Sequence, residues 1–458
     1  MFEDIHFPEA PKIVVEPPGP KAKEIIKLQN EYEGGVVLYP KAVYPLVPES
    51  ALGATIRDVD GNVYIDFFSG ISVLNFGHSN PKVLEKAVEQ LRKITHTLDF
   101  PTKARVELDK RLLDIAPGQL KNNAKIVYGG PTGSDAVEAA IKLAKYYTKR
   151  RVVIAFTNSY HGQTTTALAV TSGRGFKEPY APLGPEVHFA PYPYTYRCPF
   201  GLDDPKECSE ACLAYLEYML ENPYSGIPKP AAIIIEPIQG EGGIIIAPDD
   251  FLRGVEKLAR KNDVVLIVDE IQAGLGRAGK WWSCEYSGIN PDIITMAKSL
   301  GGIGLPLAGI MYRKDLDVWA PGSHAGTFRG DVVAMAAIAA ALDFAKENNL
   351  LDHVNKVGNE ALKYLNDLMA ESKYIGEVRG RGLMIGIEFV KDKKTKEPHK
   401  EITKAIIEKC FKKGLLVWKA GPYANIIRFL PPLIISEELM NKGLEIFRDV
   451  VKEVEASM

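Results

Sequence analysis

The chain has 458 residues, 46% of them hydrophobic and 25% charged, and carries a net charge of −2. That length accommodates a large domain and a smaller one, and the near-neutral charge gives no electrostatic case for a nucleic-acid or membrane partner. No apolar run is long enough to span a bilayer and the first twenty residues, MFEDIHFPEAPKIVVEPPGP, lack the basic-then-apolar pattern of a signal peptide, so the expected location is the cytoplasm. Helices rich in Lys and Glu suit a thermophile.

Taken in order, residues Met1 to Pro48 are Pro-rich and read as an irregular arm. ATIRDVDGNVYIDFF then alternates on both sides of Asp60-Gly61, which predicts a hairpin. FSGISVLNFGHSNP carries no clear period, and helical spacing follows over Pro81–Ile94 and Lys103–Ile115. A short strand at Ala124–Tyr128 leads into GGPTGSDAVEAAIKLAKYYTKR, where Gly129, Gly130 and Gly133 loosen the turn and Ser134 is placed to cap a helix beginning at Asp135. Free backbone N–H groups at such a helix start can bind phosphate.

A strand at Val152–Phe156 precedes SYHGQTTT, in which Tyr160 or His161 could lie flat on a planar ring. Another, Ala231–Ile235, ends in Glu236 and EPIQGEGG. The stretch from Asp263 to Arg313 organises the rest. Its apolar run Val264–Val268 ends in Asp269 and Glu270, and a second run, Ile293–Met296, ends two residues before Lys298 and a Gly-rich turn. Short β-branched runs of this kind read as buried parallel strands, and in open α/β sheets ligands sit at the carboxyl edge.

A lysine among Gly and apolar residues can be desolvated toward the neutral, nucleophilic amine, while an aspartate at the neighbouring strand end suits a protonated pyridine nitrogen. Together they describe a pyridoxal-phosphate pocket, with an ordinary Asp–Lys ion pair at a sheet edge as the alternative. SHAGTFRGD places Gly326 and Thr327 in a polar loop, and helices over Val332–Asn348 and Leu351–Ser372 lead to a second, α+β unit that opens with YIGEVRGRGLMIGIEFV. That unit continues through a helix (Ile402–Lys413), a strand (Asn425–Leu430) and a terminal helix from Glu437. Cys198, Cys208 and Cys212 cluster in a segment without His, so buried thiols or one disulfide are expected there rather than a metal site.

Jointly, GGPTGSDAVEAAIKL, SYHGQT, EPIQGEGG, VDEIQAGLGRAGKWW, IITMAKSLGGIGLPLAG, HAGTFRGD, VRGRGLMIGIEFV and GPYANIIRFLPPL resemble the class III aminotransferases, the ornithine, 4-aminobutyrate and diaminobutyrate group. The resemblance implies an α/β fold of fold type I. A mostly parallel sheet would form a large domain at residues 76–345, with a smaller α+β domain drawn from residues 1–75 and 346–458. It implies pyridoxal 5′-phosphate as cofactor, Lys298 as its covalent attachment and proton shuttle, and Asp269 paired with the ring nitrogen. Gln272 would contact the ring hydroxyl, Tyr160 would stack on the ring with His161 beside it, and Gly133 and Ser134 would bind the phosphate. Thr327 would join them from the second subunit of a homodimer with shared sites, with further association left open.

Arg428 resembles the residue that grips the substrate α-carboxylate, and Glu241 the acid that pairs with it and swings away, a fixed salt bridge being the alternative. The implied partners are an amino acid and a 2-oxo acid. Two positions depart from the commoner patterns. Gln163 stands where relatives that bind a distal carboxylate carry an arginine, a loss of about 1.5–3 kcal/mol for 4-aminobutyrate; Glu236, which would orient that arginine, is expected to bond Gln163 instead. Ile71 replaces the tyrosine of the eukaryotic ornithine enzymes. Asp99 is a candidate acceptor for the α-ammonium of a diamino acid, or else a helix cap. The expected reaction moves the terminal amino group of an ω-amino or diamino acid to 2-oxoglutarate, with ornithine as the first choice of donor and 4-aminobutyrate or lysine behind it. Amino-acid racemisation is the alternative, and Glu241, where such racemases tend to have Asp, favours transfer.

Overall fold

The computed structural model describes residues 2–38, 44–184 and 186–458, so part of the expected arm, residues 39–43, lies outside the described residues. The chain divides into two compact units, one formed by Met1–Pro81 with Asn348–Met458 and the other by Lys82–Glu347.

In the unit built from both ends, strands β1 (Pro48–Leu52), β2 (Thr55–Asp58) and β3 (Val63–Asp66) run antiparallel in succession. The predicted turn lies between the last two, with Gly61 at a φ of 90°. The arm is not irregular throughout: Pro20–Tyr32 is a helix. Proline occupies its first position, where its missing N–H costs nothing, and Asp60 of the hairpin turn accepts the N–H groups of Lys21 and Ala22, both at 2.9 Å.

The central unit carries β4 (Ala124–Gly130), β5 (Val153–Phe156), β6 (Val187–Ala190), β7 (Ala232–Ile235), the short pair β8 (Ile238–Gln239) and β9 (Ile245–Ile246), β10 (Val265–Asp269), β11 (Ile293–Met296) and β12 (Ala308–Arg313). Seven of these form one sheet in the order β4-β12-β11-β10-β7-β5-β6. β12 is antiparallel to both neighbours, and the pairs β11–β10, β10–β7, β7–β5 and β5–β6 are parallel. Thus β4, β5, β7, β10 and β11 deliver their carboxyl ends to one edge. The helix Gly133–Thr148 buries Ala136, Ala139, Ala140 and Ala144 together with Val137, Ile141 and Leu143 in the core shared with Ile234, Ile267 and Ile310 of the sheet. Its small side chains let the backbone approach the strands closely, which brings the helix start to the same edge.

The first unit resumes with β13 (Ile375–Arg381), β14 (Met384–Phe389), β15 (Leu415–Leu416), β16 (Trp418–Ala420) and β17 (Ile426–Phe429). β15 extends the hairpin sheet parallel to β3, and the other four form an antiparallel sheet in the order β13-β14-β17-β16. Two strands of the large sheet, β6 and β12, and the helices Pro205–Glu221 and Asp249–Lys261 are absent from the sequence reading.

Candidate active site

The carboxyl edge of the large sheet opens into a cleft of about 230 Å³, lined among others by Gly133, Ser134, Tyr160, His161, Glu236, Glu241, Asp269, Gln272 and Lys298. Five strands contribute. Asp269 is the last residue of β10, Glu236 directly follows β7, Lys298 lies two residues past β11, Tyr160 and His161 follow β5, and Gly133 and Ser134 open the helix after β4.

Asp269 is 4% exposed and engages three donors. Its Oδ1 accepts from the Ile271 N–H (3.0 Å) and from the Thr295 hydroxyl (2.9 Å), while Oδ2 meets His161 Nδ1 at 2.7 Å. Thr295 reaches it because the parallel register sets Asp269 beside Thr295 on β11. Burial works against a charge on His161, but the hydrogen bond and charge of Asp269 outweigh it and raise the imidazole pKa. Glu270, the second acid of the pair, serves another purpose: it is buried and accepts from Ser283 N and Oγ and from Cys284 N.

Lys298 holds a left-handed backbone at φ 49°, a conformation that a residue with a Cβ adopts at a cost and that often marks functional sites. Its side chain is half-buried. The helix start is capped by Thr132, whose N–H (3.0 Å) and hydroxyl (2.8 Å) both donate to Asp135. Ser134 is therefore not the cap; it sits inside the first turn, and its hydroxyl accepts from the Gln163 N–H at 3.1 Å. Gly162 makes this approach possible, since at its φ of 128° a Cβ would stand 2.1 Å from Ser134 Oγ.

Gln163 donates through Nε2 to the Tyr160 hydroxyl at 3.3 Å. Glu236 does not bond it, contrary to expectation: its two oxygens accept from the backbone N–H groups of Tyr160 and Gly240, each at 3.0 Å. Burial, with the charge of Asp269 adding to it and His161 opposing, pushes the Glu236 pKa up to about 7.

Other expected residues lie apart from this cleft's lining. Asp99 is exposed on the segment before the helix Lys103–Asp114, and Thr102 rather than Asp99 caps that helix, accepting from Arg105 N at 3.2 Å. Thr327 lies in a loop whose carbonyl accepts from His96 Nε2 at 2.8 Å, a tie to the segment bearing Asp99. Ile71 and Arg428 belong to the two-ended unit. Ile71 has a left-handed backbone at φ 61°, and Arg428 is 1% exposed on β17, in register with Gly386 and Trp418. All five cysteines are free thiols, with Cys198 half-buried and the others buried. Among the described residues no group of three His, Cys, Asp or Glu is arranged to hold a metal, and no helix is long and apolar enough to cross a membrane.

The donor set of the cleft fits a phosphorylated, nitrogen-containing ring. Gln272 Oε1 and His161 Nε2 are buried in its walls without a partner, Gly133 and Ser134 of a helix start line it, and an amine and a carboxylate come from adjacent strands. A mostly parallel sheet with these groups at its carboxyl edge defines a fold type I enzyme whose cofactor is pyridoxal 5′-phosphate.

Comparison with known proteins agrees. The aminotransferase class-III family model matches residues 38–451, and the chain belongs to that family. It is 40% identical to a diaminobutyrate–2-oxoglutarate aminotransferase of Rhizobium meliloti, over 89% of this chain and 88% of that one. It is 37% identical to an alanine/serine racemase of Pyrococcus horikoshii, over 97% and 93%. The ornithine aminotransferase of Toxoplasma gondii, whose active site is partially occupied by PLP, superposes with a TM-score of 0.81 at 28% identity, over 95% of each chain.

Several contributors escaped the sequence reading. Thr132, Gly162, Ile271 and Thr295 carry no local signal of their role; the motif context of Asp135, three residues after Thr132, was the one available clue, as the spacing of a capping box.

Proposed function

We propose that this chain transfers the terminal amino group of a short diamino acid to 2-oxoglutarate, with 2,4-diaminobutyrate as the preferred donor. The observation that carries the reading is the charge of the cleft, where Glu236, Glu241 and Asp269 stand against Lys298 and His161. A diamino acid brings a second ammonium to such a wall, and complementary charge favours it over a donor with a free distal carboxylate. Gln163 supports the same choice, because a neutral amide spent on the Tyr160 hydroxyl offers 4-aminobutyrate no cation. The relatives named for diaminobutyrate move the choice of donor away from ornithine, the first expectation from the sequence.

When bound, the cofactor supplies an electron sink that lets the carbon bearing the amino group lose its proton. Lys298 would hold the cofactor covalently, and its Nζ would move that proton. Asp269, which three donors engage, would face the ring nitrogen, and Gln272 would meet the ring hydroxyl. Tyr160 would cover one face of the ring with His161 beside it. Gly133 and Ser134 would bind the phosphate, with Thr327 of the partner subunit in a homodimer. Exposed Ile94, Leu98, Phe100 and Phe328 around the His96–Thr327 tie support such a pairing of chains. Arg428 is the candidate grip for the substrate α-carboxylate, with Glu241, Asp99 and Ile71 as further candidate substrate residues.

The test is a screen of 2,4-diaminobutyrate, ornithine, lysine and 4-aminobutyrate with 2-oxoglutarate, read as glutamate formed, with enantiomer analysis of single L-amino acids in parallel. Diaminobutyrate should give the highest kcat/KM. Absence of glutamate from every donor, together with D-enantiomer from one amino acid alone, selects the second reading, racemisation, which the likeness to the Pyrococcus racemase favours.

A further inference from the structure

Glu236 is 6% exposed, and among the described residues no arginine lines the cleft it faces. Both of its oxygens are committed to backbone, one to Tyr160 on the loop after β5 and the other to Gly240 on the turn that presents Glu241. These segments are joined at a second point, where Gln239 Nε2 donates to the Thr157 carbonyl at 2.8 Å. Behind them, the buried Tyr192 hydroxyl donates to the carbonyls of Glu236 (2.9 Å) and Pro237 (3.1 Å), which fixes the root of the turn. The turn also runs over the cofactor wall, since a Cβ at Gly240 would stand 2.1 Å from Gln272 Oε1. Bridging two N–H donors is work for a carboxylate: it alone offers two equivalent acceptors and nothing to donate.

We propose that Glu236 is a positioning residue whose charged carboxylate clasps the Tyr160 loop to the Glu241 turn, so that one buried group sets both the aromatic cover of the cofactor and the acid beside the substrate. The inference rests on the roles given above to Tyr160 and Glu241, and extends them by coupling the two. In this chain the clasp replaces the orienting of a cation, because Gln163 is neutral and turned to the Tyr160 hydroxyl.

Hydrogen exchange of the holoenzyme at pH 8, followed by mass spectrometry, tests this on peptides containing Tyr160 and Gly240. In the wild type both segments should be protected. Glu236→Gln, which keeps the shape but has one acceptor and one donor, should lose at least about ten-fold protection in one segment. Glu236→Ala, if it folds, should loosen both. In steady state, Glu236→Gln should lower kcat/KM in both half-reactions. Wild-type protection of both segments in Glu236→Gln overturns the proposal. The exchange experiment contains no amino donor, so a wrong assignment of the donor leaves its outcome unchanged.

Discussion

Replacing Thr295 by valine isolates one of the three donors that engage Asp269. Thr295 is fully buried on β11, its hydroxyl 2.9 Å from Asp269 Oδ1 and its carbonyl accepting from the Glu270 N–H, a bond that valine keeps. Valine has nearly the same shape, is equally at home in a strand and introduces no polar atom, so the change removes one hydrogen bond to a buried carboxylate and little else. Such a bond contributes about 1.5–3 kcal/mol. Asp269 keeps Ile271 N and His161, which argues for the lower half of that range. Urea unfolding of the apoprotein should therefore show a stability loss of about 2 kcal/mol with an unchanged slope. Cofactor affinity should weaken by about ten-fold, because the carboxylate proposed to face the ring is less firmly held in place. Thr295→Ser keeps the hydroxyl; it should recover the affinity while remaining slightly less stable for its missing methyl. If Thr295→Val binds cofactor as tightly as the wild type while Thr295→Ser does not, the hydroxyl contributes nothing to Asp269 and the network argument fails.

Other consequences are open to measurement. Borohydride reduction and peptide mapping should recover the cofactor on the peptide containing Lys298, and Lys298→Ala should yield no such adduct; an adduct elsewhere contradicts the assignment. Gly240→Ala should displace Gln272 from the cleft wall and weaken cofactor binding by at least ten-fold without unfolding the chain, as judged by fluorescence titration and circular dichroism. The pKa values of Glu236 and Glu270 are both raised to about 7, chiefly by burial. The folded protein therefore binds more protons than the unfolded chain between about pH 4.5 and 7, so apoprotein stability should fall as pH rises through that window and level off above it, and Glu270→Gln should flatten the slope. His161, also raised, contributes in the same direction, its share being lost as pH rises beyond the ordinary histidine range. Alkylation of the native protein should label Cys198 alone, with the four buried thiols reacting only after denaturation; labelling of Cys284 or Cys410 in native protein would contradict their burial.

How much of this was legible in the sequence follows from where each signal resides. Buried parallel strands are written as unbroken apolar runs, so β5, β7, β10 and β11 stand out, and the polar residues just beyond them are the cleft. β12 was hidden because it follows a turn dense in Gly and Pro and crosses the sheet in the opposite direction. The helix Pro20–Tyr32 buries only Ala22 and so lacks an apolar period, which left its Pro start unread among many other prolines. Partners supplied by backbone are also invisible: the expectation for Glu236 looked to a side chain, Gln163, whereas its acceptors are filled by two N–H groups.

The adjacent acids Asp269 and Glu270 show the limit most directly. Composition and position treat them alike, since both are buried carboxylates at the end of β10. Successive residues of a strand point to opposite faces, however, so at most one of them can turn into a given cleft. Asp269 does so, opposite Thr295 and within reach of His161, a residue 108 positions earlier in the chain. Glu270 points the other way and folds the Ser283–Cys284 turn against the strand. The chemical role of Asp269 is therefore fixed by strand phase and by sheet register, and register is decided by the pairing of β10 with β11, a property of two segments that neither carries alone.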